Sequence, residues 1–466
     1  MVPLLDAAGV RCFIIRYIPH FIRRRCILLV FLSKRTYLSL AAVAVIAAVG
    51  TYLFVPGAKT VTQQTLRATK AAAAHYELLD AVDAVNIRQV ITADSTTSRT
   101  IMWQSAVSEP DAVVDYRVNG DETVRTLPAA EESFTENGQT TFIHRALIKG
   151  LTAGTEYEYR IGTNGKRSPW FPLKTASGTA FKALIYPDSQ SSDYAVWTET
   201  ARAAWQRNGD ASFFINMGDL VDNGQDTYQW NAWFEAVENM IAAIPVVPLV
   251  GNHETYDKNW QVCMPETYLH LFTLPDNGSK AYANQFYSFD YGNVHFIVLN
   301  TQFSELADFE PSLEADEITW FKEDVARSEK KWKVVLMHKD PLQYAFNPEA
   351  RSTPREEGFS EEGKTFMPLF DAAGIDVVLS AHLHTYRNRG HIKNFRRDDA
   401  GPLYILTGVA GNVRYPSLWK QHALDEYLAP QPETDNYLTL EATDDSLRFQ
   451  AFLPDGTLLD TAEVRK

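Results

Sequence analysis

Six side chains in one stretch of this chain are of the kinds that bind divalent cations: Asp188, Asp219, Asn252, His338, His382 and His384. All of them follow apolar runs of strand length. FKALIYP leads into Asp188-Ser189-Gln190, and SFFINM into Gly218-Asp219-Leu220-Val221-Asp222. IPVVPLV leads into Gly251-Asn252-His253-Glu254, KWKVVLM into His338, and IDVVLS into Ala381-His382-Leu383-His384. Ligands of α/β folds bind beyond the carboxyl ends of the strands, so five such ends in series predict one shared site. Carboxylate, amide oxygen and imidazole together suit Zn, Mn or Fe, and the missing thiolate disfavours a structural zinc. Side chains alternate along an extended segment, so His382 and His384 direct both rings to one side and can serve two neighbouring ions. A lone Asp between two ions can bridge them. Two metals about 3.5–4 Å apart can clamp a phosphoryl oxygen and generate hydroxide at neutral pH.

Taken singly, each residue has a plainer reading. An isolated Asp at a strand end is more often a helix cap or turn former. A lone His after a buried strand is usually packed or hydrogen-bonded. The series of five motifs reverses that for Asp188, Asp219 and His338. Gln190 is balanced between a ligand and a hydrogen-bonding neighbour. His295, in the middle of NVHFIVLN, reads as hydrogen-bonded inside a sheet. Arg387, close after His384, reads as a solvated arginine, with a phosphate contact as the sharper alternative. Trp230, Trp233 and Trp260 read as packing residues rather than substrate platforms.

The elements that must hold these residues follow from the hydropathy pattern. From about residue 180 apolar strands alternate with amphipathic segments such as WTETARAAWQRN and EADEITWFKEDVARSEK, an α/β layout. Residues 85–176 instead form short alternating runs with turns between them: Asn86–Thr92, Arg99–Gln104, Val113–Val118, Thr141–Ile148, Glu156–Ile161 and Trp170–Lys174. Such spacing predicts an antiparallel β-sandwich. Residues 57–84 read as a linker. Tyr37–Val55 is uncharged and about nineteen residues long, close to the roughly twenty that span a bilayer. Arg23, Arg24, Arg25, Lys34 and Arg35 precede it, so residues 1–56 predict a cytoplasmic tail and membrane anchor or signal, with the remainder anchored or secreted outside the cytoplasm.

Length and composition bound the rest. With 466 residues the chain exceeds one hydrophobic core, and 45% hydrophobic with 22% charged residues describes a folded protein. A formal net charge of -14, with no basic stripe beyond the first 35 residues, argues against nucleic acid and for small phosphoester substrates. Of three cysteines only Cys263 lies in the main body, so no intrachain disulfide framework exists there.

Residues 180–432 resemble the calcineurin-like metallophosphoesterase superfamily, whose motifs are D-x-[HG], GD-x-x-[DY], GNH[DE], a strand-end His and GH-x-H. The preceding sandwich, with GLTAGTEYEYRIG, looks like the fibronectin type III-like N-terminal domain of purple acid phosphatases. The resemblance implies a four-layer α-β-β-α catalytic domain over residues 180–466 and a centre of two metal ions (Fe, Zn or Mn). It implies that Asp188 and His384 bind the first metal, that Asp219 bridges, and that Asn252, His338 and His382 bind the second. His253 then serves as general acid, with Asp222 and Glu254 orienting such groups. Three positions depart from the pattern. Gln190 stands where relatives carry His or Gly. Asp222 stands where purple acid phosphatases carry the tyrosinate ligand, so no tyrosinate-to-iron colour is expected. Ala381 replaces the Gly of GH-x-H. The expected activity is an acid phosphatase-like phosphomonoesterase. The alternatives are a phosphodiesterase or pyrophosphatase acting on nucleotides or lipid head groups, and a non-catalytic surface binding protein.

Overall fold

The computed structural model describes residues 84–163, 165–431 and 433–466. The expected anchor at residues 37–55, together with Cys12 and Cys26, lies outside them. Among the described residues no helix is long and apolar enough to cross a membrane.

The five motif-bearing strands all form, and they divide between two sheets. Phe181–Tyr186, Phe213–Asn216 and Val246–Pro248 run parallel in one sheet, with Ile185 opposite Ile215 and Ile215 opposite Val247. Trp332–Met337 and Val377–Ser380 run parallel in the other, with Val335 opposite Val378. Their sequences lack polar alternation because both faces of each sheet are covered. On Phe213–Asn216, the Phe213 ring meets Phe289 and Phe296 of the second sheet at 5.8 and 5.7 Å. The next residue, Phe214, turns the other way and meets Tyr186, which lies edge-on to Trp197 of the helix Ala195–Arg207. On Trp332–Met337, Val334 and Leu336 join this inter-sheet core, whereas Val335 and Met337 pack with Phe321, Phe366 and Phe370. Those phenylalanines come from helices Leu313–Arg327 and Glu361–Ala373. Helix, sheet, sheet and helix therefore stack as four layers.

Local chemistry sets the helix ends. Asp226 caps Thr227–Ile241 by accepting from the Tyr228 amide at 2.9 Å. Ser360 does the same for Glu361–Ala373 through the Gly363 amide, and Gly374 ends that helix in the left-handed region at φ 62°.

Residues 85–174 form a β-structure with its own core of Ile101, Trp103, Val114, Tyr159 and Ile161. All six runs read as strands contain one. Three further strands, Arg125–Pro128, Ala130–Glu136 and the two-residue Lys166–Arg167, were not legible. The second reads AEESFTE and keeps neither face buried, so it carries no alternation signal. Val85–Val90 pairs in parallel with Val246–Pro248, Val90 facing Val246. One layer of the β-structure thereby continues into the sheet that holds Phe181–Tyr186 and Phe213–Asn216. At the far edge the C-terminal strands Tyr437–Ala442, Ser446–Phe452 and Leu458–Arg465 extend the same sheet, starting antiparallel to Phe181–Tyr186.

Two of the polar readings resolve here. His295 hydrogen-bonds Asp290 at 2.8 Å and Asp324 at 2.9 Å. Burial opposes its charge, but the two carboxylates outweigh that and push it up to about 9. Arg387 is neither solvated nor free for phosphate. It is 1% exposed and pairs with Asp425 at 2.6 Å. Arg389 beside it pairs with Asp340, and the Tyr344 hydroxyl links the two pairs by donating to Asp425 at 2.7 Å and accepting from Arg389 Nε at 3.0 Å. Buried charges of this kind persist only when paired.

Candidate metal centre

The carboxyl ends of the five strands deliver their polar residues to one place between the sheets. Asp219, His338 and His382 bring ligand atoms within 4.8 Å of one another, and so do Asp188, Asp219 and His384. Asp219 is common to both groups. Its Oδ2 lies 3.1 Å from His338 Nε2, and its Oδ1 accepts from the His253 amide at 2.9 Å. Asn252 Oδ1 is 3.2 Å from His338 Nε2, which adds an amide oxygen to the first group. Asp188 Oδ2 is 3.4 Å from His384 Nε2, and Gln190 Nε2 is 3.3 Å from the same nitrogen. Gln190 Oε1 is buried with no hydrogen-bond partner. The two ends of an amide are assigned from hydrogen bonding, and turning this one over brings its oxygen to the His384 side.

The imidazoles are held for ligation from behind. His338 Nδ1 bonds the Met217 carbonyl at 2.9 Å, and His384 Nδ1 bonds the Val413 carbonyl at 2.9 Å. In each ring this leaves Nε2 toward the carboxylates, as such carbonyl contacts do in metal sites. Asp188 accepts the His382 amide through both oxygens, at 3.2 and 2.9 Å. Three of the residues adopt left-handed backbone: Asp219 at φ 47°, His382 at φ 75° and His384 at φ 54°. Non-glycine residues settle there only when their surroundings over-determine them, and such positions cluster at functional sites. Gly251 has a different task. A Cβ there would overlap the Asp219 carboxylate.

The electrostatics fit a cation site. Burial and the Asp219 charge hold Asp188 well above the carboxylate range, partly relieved by His338. Burial would raise Asp219 too, yet His338, His253 and His382 hold it well below that range. Burial lowers His338, but Asp219 and Asp188 overcome it and carry the imidazole up to about 9. Burial takes His384 down to about 4 and lowers His382. Cations here would relieve the crowding of Asp188 and Asp219, take up the orphaned Gln190 oxygen and replace the His338 proton, and burial already favours the neutral forms of His382 and His384. The donor set fits two metal ions.

Three further residues were expected at the site. His253 lies against it, with Nδ1 donating to the Asp222 carbonyl at 2.8 Å and standing 3.6 Å from that residue's carboxylate. Burial raises Asp222, and His253 opposes the shift. Glu254 takes another part. It is 1% exposed and accepts four backbone amides: Asp219 at 3.0 Å and Gly251 at 2.7 Å on Oε2, Leu220 at 2.8 Å and Val221 at 3.3 Å on Oε1. It clips together the two loops that carry Asp219 and Asn252. Burial and the Asp219 charge push it up to about 7, a repulsion that bound cations would cancel. Glu254→Gln turns an N–H₂ toward at least one amide donor. The variant should lose roughly 1–3 kcal/mol of stability and bind metal about 10–100-fold more weakly, read by denaturant unfolding and metal titration; wild-type values for both would show that Glu254 does not hold the loops. Tyr415 was missed by sequence reasoning. Its ring is 4.9 Å from that of His384, and it comes from a loop with no motif of its own.

Residues 184–386 match the calcineurin-like phosphoesterase family, and residues 84–175 match the purple acid phosphatase N-terminal domain. The chain carries a calcineurin-like metallophosphoesterase domain behind a purple acid phosphatase N-terminal domain. Purple acid phosphatase 22 of Arabidopsis thaliana is 30% identical over 279 residues, 58% of this chain and 59% of that one. Purple acid phosphatase 15 of the same plant is 29% identical, over 64% of this chain and 58% of its own length. The chain thus spans about three-fifths of these curated relatives. The purple acid phosphatase PPD1 from yellow lupin (Lupinus luteus) seeds shares the fold at a TM-score of 0.67 and 16% identity, covering 82% of this chain and 74% of that one. PhoD follows at 0.57 and 14%, covering 81% and 88%.

Proposed function

We propose that this metallophosphoesterase chain hydrolyses phosphate esters, with phosphomonoesters as the preferred class, at a two-metal centre. The observation that carries the reading is the pair of ligand groups sharing Asp219. Asp188, Asp219 and His384, with Gln190 beside them, would hold one ion. Asp219, Asn252, His338 and His382 would hold the other. The ions would supply Lewis acidity and lower the pKa of water.

The remaining work belongs to the chain. The Asp222 carbonyl engages His253 Nδ1, which fixes the tautomer and leaves Nε2 as the free nitrogen. His253 steadies a phosphoryl oxygen and protonates the departing alcohol. The Asp222 carboxylate stands 3.6 Å from the same ring nitrogen. Glu254 acts at one remove by holding the ligand loops. A non-catalytic descendant would be expected to have lost ligands, and the intact set supports an enzyme instead.

The test is hydrolysis of para-nitrophenyl phosphate and bis-para-nitrophenyl phosphate by the purified chain, with metal analysis on the same sample. Turnover of the monoester with two metals per chain is the expected result. Faster turnover of the diester moves the reading to a phosphodiesterase, and failure to bind metal under any loading condition removes it.

A further inference from the structure

The loop after the Asn252 motif ends in a feature that the phosphoester chemistry does not use. Trp260 is 54% exposed and has φ 61°. A single exposed aromatic needs no explanation by itself. A bulky residue held in the left-handed region does, because that conformation costs energy and persists only where the surroundings impose it. The constraint is visible here. Asp257 Oδ1 accepts the Asn259 and Gln261 amides at 2.7 and 2.8 Å, the Asp257 amide donates to the Gln261 carbonyl at 2.9 Å, and the Trp260 amide donates to the Asp257 carbonyl at 3.0 Å. Tyr256 bridges Val262 across the base, and the Asn223 side chain ties the Asp257 carbonyl to the Asp219 loop.

This turn sets Trp260 beside His253. The two rings stand 5.8 Å apart at 90°, so the indole presents itself edge-on or face-on to the imidazole and keeps most of its surface in water. Tyr256 completes the wall, 5.7 Å from His253 at 85° and 6.0 Å from Trp260. Trp230 and Trp233, by contrast, are buried in the core as their sequence context predicts.

Resting on the phosphoester reading above, we propose that Trp260, backed by Tyr256, is the platform on which an aromatic leaving group of the substrate stacks. The phosphoryl group belongs at the ligand cluster and the leaving group beside the ring that protonates it, so the group attached to the ester oxygen emerges at this wall. A flat, preordered aromatic surface there favours aryl or nucleoside phosphates over small alkyl phosphates, because stacking on an aromatic side chain rewards any planar π-face. Trp260 is a specificity-determining residue that leaves the phosphoryl end of the substrate untouched.

The test uses non-hydrolysable probes, so it needs no turnover. Calorimetric titration of the metal-loaded full chain with 1-naphthylphosphonate and methylphosphonate should show the naphthyl compound binding about ten-fold more tightly. In Trp260→Ala that preference should vanish with methylphosphonate affinity unchanged, and in Trp260→Phe most of it should remain. Equal binding of both probes by the wild-type chain, or a preference that survives Trp260→Ala, overturns the platform while leaving the phosphoester reading intact. Failure to bind either probe overturns both.

Discussion

Asp219→Asn should leave the chain folded and strip it of its chemistry. One Asn oxygen can still accept the His253 amide that Asp219 Oδ1 accepts now at 2.9 Å, so the loop retains an anchor. The other oxygen and the charge are lost from both ligand groups at once, because Asp219 is the residue they share. Among the described residues it alone belongs to both groups. Metal analysis should find the variant falling from two ions per chain to one or none. Hydrolysis should drop by more than the roughly 10²–10⁴-fold that loss of a general acid alone costs. Thermal unfolding offers a readout independent of activity. A ligand that binds only the native state stabilises it by about 2.7 kcal/mol per site at a hundred-fold excess over Kd. Metal addition should therefore raise the Tm of the stripped wild-type chain and move that of Asp219→Asn far less. A variant that still binds two ions and turns over at the wild-type rate would remove Asp219 from the bridging position.

The reach of the sequence is clearest at the strand ends. Five apolar runs each terminate in a ligand-type residue, and burial of both sheet faces is what makes those runs apolar, so the same physics that forms the strands marks where they stop. Their division between two facing sheets is not written in any one run. It follows from residues such as Phe213 and Phe214, adjacent in the chain and buried in opposite directions, which a continuous apolar run conceals. The polar strand Ala130–Glu136 escaped notice for the opposite reason, since an edge strand with both faces largely wet has no alternation to read. The parallel pairing of Val90 with Val246 joins residues far apart in sequence, and no local pattern announces it.

Within the site, residue types were legible and backbone conformations were not. His382 and His384 were expected to share a side by strand alternation. They do converge on one centre, but through left-handed backbone at both residues, just past the end of Val377–Ser380. Glu254 was read as a group that orients catalytic side chains, whereas its four amide contacts make it a clip between loops. Its true partners are main-chain groups, which every sequence contains and none displays. Arg387 misled in the same way, because its partner Asp425 lies 38 positions on. Tyr415 and Trp260 reach the site from loops whose conformation alone brings them there.

His253→Ala separates acid catalysis from simple binding of the phosphoryl group through its dependence on the leaving group. An alkoxide needs a proton to depart, whereas para-nitrophenolate is stable enough to leave without one. If His253 is the acid, the alanine variant should lose about 10²–10⁴-fold in kcat on an alkyl ester such as β-glycerophosphate. On para-nitrophenyl phosphate the loss should be much smaller. Were His253 only a hydrogen-bond donor to a phosphoryl oxygen, both substrates would slow by the same factor, since both present the same oxygens. Metal content should stay at two ions, because the cluster uses only the backbone amide of His253, which alanine retains. The pattern is opposite in kind to that of Trp260→Ala, which should weaken affinity for aromatic probes and spare the alkyl ones. Equal losses on the two esters would assign the imidazole to phosphoryl binding and require another proton donor.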